Sequence, residues 1–316
     1  AIRNPVTGLT YTPQYVPLFI AAAQEGDLYP NDQLWNGLTP LPSAMSVGAT
    51  WKPATAERVG TVMGSELKAI GINLLFGPSL DVLDTPHPEN SEDQGTRSFG
   101  GDPYWVGEMG KAYIRGIHQG SGKQVAVIAK NFPGRGNADR SPEEEIATVR
   151  TTAEQLKANE LLPFTAVAGY APSADAAADG LLVTHIRYSG FQGTIRSTTR
   201  PISFDTTALD QVFALPGLTS WRKDGGILVS DNLGGLGLRR FYDPTDQAFD
   251  ARMVARDAIL GGNDLLYVDT NFVSTGDADS YATLLRTLDF LAQKYREDQA
   301  FAARVDASVT RLLTLK

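Results

Sequence analysis

Residues 125–136 read Val125-Ala126-Val127-Ile128-Ala129-Lys130-Asn131-Phe132-Pro133-Gly134-Arg135-Gly136. The apolar run from Val125 to Ala129 predicts a buried strand, and Phe-Pro-Gly predicts a turn directly after it. Lys130 and Asn131 therefore stand at the rim of a sheet. That rim is where α/β barrels carry their chemistry.

Outward from this stretch, apolar runs rich in β-branched residues alternate with longer amphipathic segments, the pattern of strand-helix repeats that build a parallel sheet. Strands are expected at 16–22, 73–80, 125–129, 181–184, 227–229 and 265–268. Helices are expected at 54–70, 104–119, 143–159, 249–260, 281–295 and 299–313. Polar or Gly-rich residues follow each strand, so polar groups collect at the carboxyl ends of the strands. The expected fold is a single TIM-type (β/α) barrel domain over residues 1–316. Segments 39–44, 171–180 and 269–279 read as loops, and no period of roughly 20 to 50 residues repeats, which excludes a solenoid.

At 316 residues with 42% apolar content, the chain can bury a large core without a second domain. A net charge of −8 disfavours a nucleic-acid partner, which needs clustered Lys and Arg. Cys is absent, which removes disulfides and thiolate metal sites and leaves the compartment undetermined. His87, His118 and His185 lack metal-ligand spacing, so neither a metal nor a cofactor is expected. No apolar stretch reaches the roughly 18 residues of a membrane span. The start, Ala1-Ile2-Arg3-Asn4, has no signal-peptide apolar region and no initiator methionine, which suggests processing or trimming.

The stretch Lys130–Gly136 resembles the Lys-His-Phe-Pro-Gly-His-Gly motif of family 3 glycoside hydrolases, in the branch that holds the bacterial β-N-acetylhexosaminidases. Both motif histidines are replaced here, by Asn131 and Arg135. Further matches follow in family order: Gln24-Glu25-Gly26, Gly71-Ile72-Asn73-Leu74-Leu75-Phe76-Gly77-Pro78 leading to Leu80-Asp81-Val82, Arg97-Ser98-Phe99-Gly100, Glu160-Leu161-Leu162-Pro163-Phe164, Ser230-Asp231-Asn232-Leu233, and the closing segment from Arg304 to Leu313. Members usually carry another strand and helix before the first strand seen here, so the barrel lacks or modifies its first β/α unit, or its start was removed. The family's separate C-terminal sandwich domain has no counterpart in this chain.

The resemblance implies a retaining glycoside hydrolase acting on a carbohydrate substrate, exo-acting on a β-linked sugar, N-acetylglucosaminidase- or glucosidase-like. Asp231 occupies the family's nucleophile position at the end of Gly226-Ile227-Leu228-Val229-Ser230; the competing reading is a strand-end cap for the glycine-rich turn. The family's acid/base histidine has no counterpart in Gly136-Asn137-Ala138-Asp139-Arg140-Ser141-Pro142-Glu143-Glu144-Glu145. An ungapped alignment puts Glu143 there, and a glutamate with a raised pKa can serve as general acid. The same residues also have the form of a helix start, with Ser141 as cap, Pro142 in the first turn and Glu144 closing a capping box. Asp139 is the second acid/base candidate, and its competing role is a salt bridge to Arg140.

Lys130 matches a substrate-binding lysine and could equally form an ion pair with Asp231 or Asp81. Arg97 matches a substrate-binding arginine, with a structural clamp across residues 84–101 as the alternative. His185 matches a pocket histidine, and Asn131 and Asp81 complete the implied binding set. Ala23 stands where the family has an aspartate that binds a sugar hydroxyl, which puts N-acetylglucosamine specificity in doubt. These losses support the alternative of a barrel that binds glycans or a protein partner without efficient catalysis, whereas the retention of Asp231, Lys130 and Arg97 supports the glycosidase. Gly234-Gly235-Leu236-Gly237 lacks the residues of a phosphate-binding loop and reads as a turn passing close to Asp231. Trp35, Trp51, Trp105 and Trp221 offer possible stacking surfaces but are scattered.

Overall fold

The computed structural model describes residues 2–3, 10–11, 15–83 and 95–316. His87 and most of the 84–101 loop lie outside the described residues.

Six strands form one parallel sheet: β1 (Ala21–Ala23), β2 (Leu74–Ser79), β3 (Ala126–Phe132), β4 (Gly180–Val183), β5 (Ile227–Asn232) and β6 (Leu265–Tyr267). They pair in chain order, each strand beside its predecessor. Sequential parallel order with crossovers between neighbours is barrel topology, because a doubly wound sheet would reverse its order part way across. The fold is the expected TIM-like (β/α) barrel. Among the described residues no pairing joins β6 to β1, so the curled sheet is an open half-barrel.

The main crossover helices are α1 (Pro53–Ala69), α2 (Pro103–Ser121), α3 (Leu161–Val167), α4 (Pro216–Lys223) and α5 (Ala251–Leu260), followed by α6 (Ser280–Glu297) and α7 (Gln299–Leu315). Helices α1 and α2 cross on glycine. A Cβ at Gly64 would lie 2.3 Å from the Ile117 carbonyl oxygen, and one at Gly116 would lie 2.1 Å from that of Glu57. Leu74, Ile128, Leu182, Ile227 and Val229 fill the concave side of the sheet, where Leu312 and Leu315 of α7 pack against them.

Three expectations are corrected. The helix at 143–159 does not form. Residues 142–145 make a turn, Thr148–Val149 pairs as a short parallel strand with Arg187–Tyr188, and helix resumes only at Ala153–Ala158. Thr152 and Gln155 form the capping box there, and the Ser141 hydroxyl caps nothing. The strand expected at 125–129 runs on through Phe132, so Lys130 and Asn131 belong to β3 itself. The strand expected at 227–229 likewise continues, and carries Asp231.

At the opposite end of the sheet, His118 of α2 is buried with both ring nitrogens facing acceptors: Nδ1 lies 2.8 Å from the Asp175 carbonyl and Nε2 3.0 Å from Asp179 Oδ2. Only the imidazolium can donate to both. Burial alone would depress its pKa, but the bond to and charge of Asp179, aided by Asp175, raise it above the ordinary value. A folded value above the unfolded one stabilises the fold below about pH 6.5, and that contribution is lost as pH rises through the folded value. Denaturation midpoints measured from about pH 5 to about pH 9 should therefore fall more steeply for the native protein than for His118→Gln. Equal slopes would refute the assignment.

Candidate active site

The carboxyl ends of β2, β3 and β5 surround a cavity of about 520 Å³, within the size range of small-ligand sites. Its floor is apolar, formed by Leu74, Leu182, Val229 and Leu265, and its wall carries Arg97, Lys130, Asn131, Arg135, Glu143 and Asp231. Asp231 and Glu143 are the two carboxylates lining it.

The turn after β3 is fixed from below by Asp81, which is fully buried. Its Oδ2 accepts from Ser79 Oγ at 2.8 Å and from Asn131 Nδ2 at 2.5 Å, and its Oδ1 accepts from the Arg135 backbone N–H at 2.7 Å. Asp81 thus holds Asn131 and Arg135 in place and is not itself on the cavity wall. Phe132 anchors the same turn between Phe164 and Phe213, and Tyr188 donates its hydroxyl proton to the Gly134 carbonyl at 2.7 Å. A Cβ at Gly136 would lie 1.9 Å from the Val82 carbonyl oxygen, so the Phe-Pro-Gly-x-Gly spacing is a packing requirement.

Lys130 pairs with neither Asp231 nor Asp81. Its Nζ lies 2.8 Å from Glu25 Oε2, with both side chains largely buried. Glu25 is held in turn by Asp32, whose carboxylate accepts from the backbone N–H groups of Glu25, Gly26 and Leu28. Ala23 lines the cavity and offers no side-chain acceptor there.

Arg135 stands in the second histidine position and its role as the central cation was not foreseen. Its Nη1 donates to Glu143 Oε1 at 2.8 Å, and its Nε lies 3.9 Å from Asp81 Oδ2. Burial opposes its charge, but Glu143, Asp81 and Asp231 together hold the guanidinium more firmly protonated than usual. In return, and against the effect of burial, Arg135 holds the Glu143 carboxyl below its ordinary value, helped by Arg97. Glu143 is therefore an ionised, half-exposed carboxylate at neutral pH.

Asp139 does not reach the cavity. Its carboxylate accepts from the Thr148 N–H at 2.8 Å and pairs with Arg140 and Arg150, each at 3.1 Å. These partners lower its pKa against the effect of burial. His185 is buried just behind the wall, with Nδ1 2.7 Å from Ser203 Oγ. Burial lowers its pKa, although Asp231 and Glu143 pull the other way, so the imidazole is neutral. Arg97 lies on the wall at the end of the short turn Gly95–Arg97. Asp231 Oδ1 accepts from the Asn232 N–H at 2.8 Å.

The glycines after Asp231 serve a different neighbour from the one expected. A Cβ at Gly234 would lie 2.2 Å from Asp269 Oδ1, not against Asp231. None of the four tryptophans lines the cavity; Trp221 packs against Phe213, and Trp51 and Trp105 pack on each other. Gln33 and Tyr267 line it without any sequence signal having singled them out. The described residues contain no cluster of three or more potential metal-ligating side chains. None of their helices is long and apolar enough to cross a membrane.

A family model described as "Glycosyl hydrolase family 3 N terminal domain" matches residues 7–315. The chain is 28% identical over 248 residues to a protein named Beta-hexosaminidase from Pseudomonas aeruginosa, covering 78% of this chain and 67% of that one. It is 27% identical over 271 residues to a Beta-hexosaminidase from Idiomarina loihiensis, covering 84% and 72%. Among solved structures it is similar to a glycoside hydrolase family 3 beta-N-acetylglucosaminidase from Paenibacillus sp. str. FPU-7, with a TM-score of 0.76 and 28% identity. That match covers 95% of this chain but half of the Paenibacillus protein. A Beta-N-acetylhexosaminidase from Beutenbergia cavernae matches at a TM-score of 0.73 and 25% identity, covering 95% and 78%.

Replacing Asp81 with Ala strands the Asn131 amide and the Arg135 backbone N–H inside the protein. The expected cost is about 3 kcal/mol of folding stability, read as a lowered denaturation midpoint. A variant as stable as the native protein would show that Asp81 does not hold this turn.

Proposed function

Because this chain belongs to glycosyl hydrolase family 3, we propose that it is a retaining glycosidase acting on a β-linked sugar, N-acetylglucosaminide- or glucoside-like, with Asp231 as nucleophile. The observation that carries this reading is that Asp231, at the end of β5, shares one cavity with a second carboxylate, Glu143, and with Lys130, Asn131 and Arg97. Retaining hydrolysis needs such a pair: one carboxylate attacks the anomeric carbon and a second group manages the proton of the leaving oxygen and then of the attacking water. Lys130, Asn131 and Arg97 would donate to sugar hydroxyls, with His185 and Asp81 behind them as orienting groups. The expected product retains its anomeric configuration.

The ionised state of Glu143 divides the two steps. A carboxyl held below its ordinary value by Arg135 is poorly protonated at neutral pH, so it gives little help to a departing alkoxide. The same carboxylate is ready to accept a proton from water when the glycosyl-Asp231 ester is hydrolysed. Leaving groups that depart as stable anions suit this site, and general acid help with poor ones is confined to acidic pH. Tied up by Arg140, Arg150 and the Thr148 N–H, Asp139 is the weaker acid/base candidate.

The Arg135–Glu143 pair also favours a second reading, a barrel that holds a glycan or a protein partner and turns over little or nothing. A panel of aryl β-glycosides of N-acetylglucosamine, glucose, xylose and galactose separates the two. The glycosidase reading expects cleavage of one of these, reduced by about three orders of magnitude or more in Asp231→Ala. It also expects Glu143→Gln to release a burst of aryl alcohol and then turn over slowly, with azide restoring the rate because it needs no base. Silence across the panel by folded protein would favour the binding reading.

A further inference from the structure

The loop that brings Glu143 to the cavity turns its other side to a second depression, of about 450 Å³, whose wall includes Arg140, Arg150, Arg187, Arg196 and Arg240 with Phe241. Two carboxylates answer these five guanidiniums. Asp139 pairs with Arg140 and Arg150, and Glu145 pairs with Arg140 at 2.8 Å. Arg187, Arg196 and Arg240 form no ion pair among the described residues. The depression is therefore cationic in a chain whose net charge is −8.

Arg187 gives the site its built centre. It is nine-tenths buried, and its guanidinium donates to the carbonyl oxygens of Thr199 at 2.6 Å, Ser197 at 2.8 Å and Ile146 at 3.3 Å. These bonds orient the group but do not neutralise it. Its face lies 5.5 Å from the Phe241 ring. Burial chiefly, with the like charge of Arg140 and against that of Asp139, makes Arg187 less firmly protonated than usual, and the guanidiniums without an ion pair around it leave a surplus of positive charge. A dianion would relieve that surplus. All five cations are arginines, whose planar forks match the oxygens of phosphate bidentately, whereas a lysine is a point charge. The Arg140–Glu145 pair has both side chains about half exposed, so an incoming anion can replace Glu145 at little cost.

We propose that this pocket binds a phosphate group, free or carried on a small molecule. The site is separate from the cavity of Asp231 and does not depend on the glycosidase reading. Because Glu145 and Glu143 sit on one turn, an anion that displaces Glu145 also bears on the position of Glu143.

The test is direct titration of the folded protein with inorganic phosphate and with a hexose 6-phosphate, at constant ionic strength. Binding is read by calorimetry and by the rise in unfolding temperature that a ligand of the native state produces. Saturable binding at about 1 mM or tighter is expected, weakened by about tenfold or more in Arg196→Ala/Arg240→Ala. These two residues are exposed, unlike Arg187, so their loss spares the fold. Tighter binding of the hexose phosphate would identify a phosphorylated ligand; equal binding would identify the free ion. Arg97→Ala, which alters the other cavity, should leave binding unchanged. Absence of saturable binding, or binding lost in Arg97→Ala and kept in the double variant, would overturn the proposal.

Discussion

The buried carboxylate of Asp81 is the constraint on which the site rests. An ionisable group with no solvent exposure persists only where donors surround it, and Asp81 draws its donors from the strand before it and the turn of the next strand. Accepting from Asn131 and from the Arg135 N–H, it joins the end of β2 to the turn after β3. Two wall residues are thereby set by one charge. Gly136 follows from the same closeness, since the Val82 carbonyl leaves no room for a Cβ there, whereas Gly134 has a φ of +120° and packs on Glu160.

Arg135 then decides what the carboxylates can do. One buried guanidinium serves Glu143 directly and Asp81 and Asp231 through its charge. A cation in that place favours the charged form of Glu143, which leaves that carboxylate able to accept a proton and poorly able to give one. On the other side of the cavity Lys130 is neutralised by Glu25.

The sheet was legible because its strands are short apolar runs bounded by polar and glycine-rich segments, and period and punctuation there agree. The motif order placed Asp231, Lys130, Asn131, Arg97 and Glu143 around one cavity, and the structure brings all five to its wall. What the sequence hid is instructive. Ser141-Pro142-Glu143-Glu144 satisfies every local rule for a helix start, yet Ile146-Ala147-Thr148-Val149, which follow after Glu145, are all buried, and Thr148–Val149 pairs with Arg187–Tyr188. Tertiary burial of that β-branched run overrode the cap, and the run itself was the available signal. The partner of Lys130 was illegible for a different reason. Glu25 is distant in sequence, and only the curl of the sheet brings β1 and β3 close enough for the pair.

An open half-barrel can still carry such a site because of where its edges fall. The unpaired edges among the described residues are β1 and β6, while Asp81, Lys130, Asn131, Arg135 and Asp231 come from the ends of β2, β3 and β5. Apart from Arg97, every charged wall group therefore stands on or beside an interior strand, or is tied to one, as Glu143 is through Arg135. The edge strands contribute mainly apolar wall, Ala21 and Ala23 on one side and Leu265 and Leu266 on the other, with Tyr267 as the polar exception. The charged groups thus stand mainly where neighbouring strands hold the backbone from both sides, and the edges border the more apolar part of the cavity.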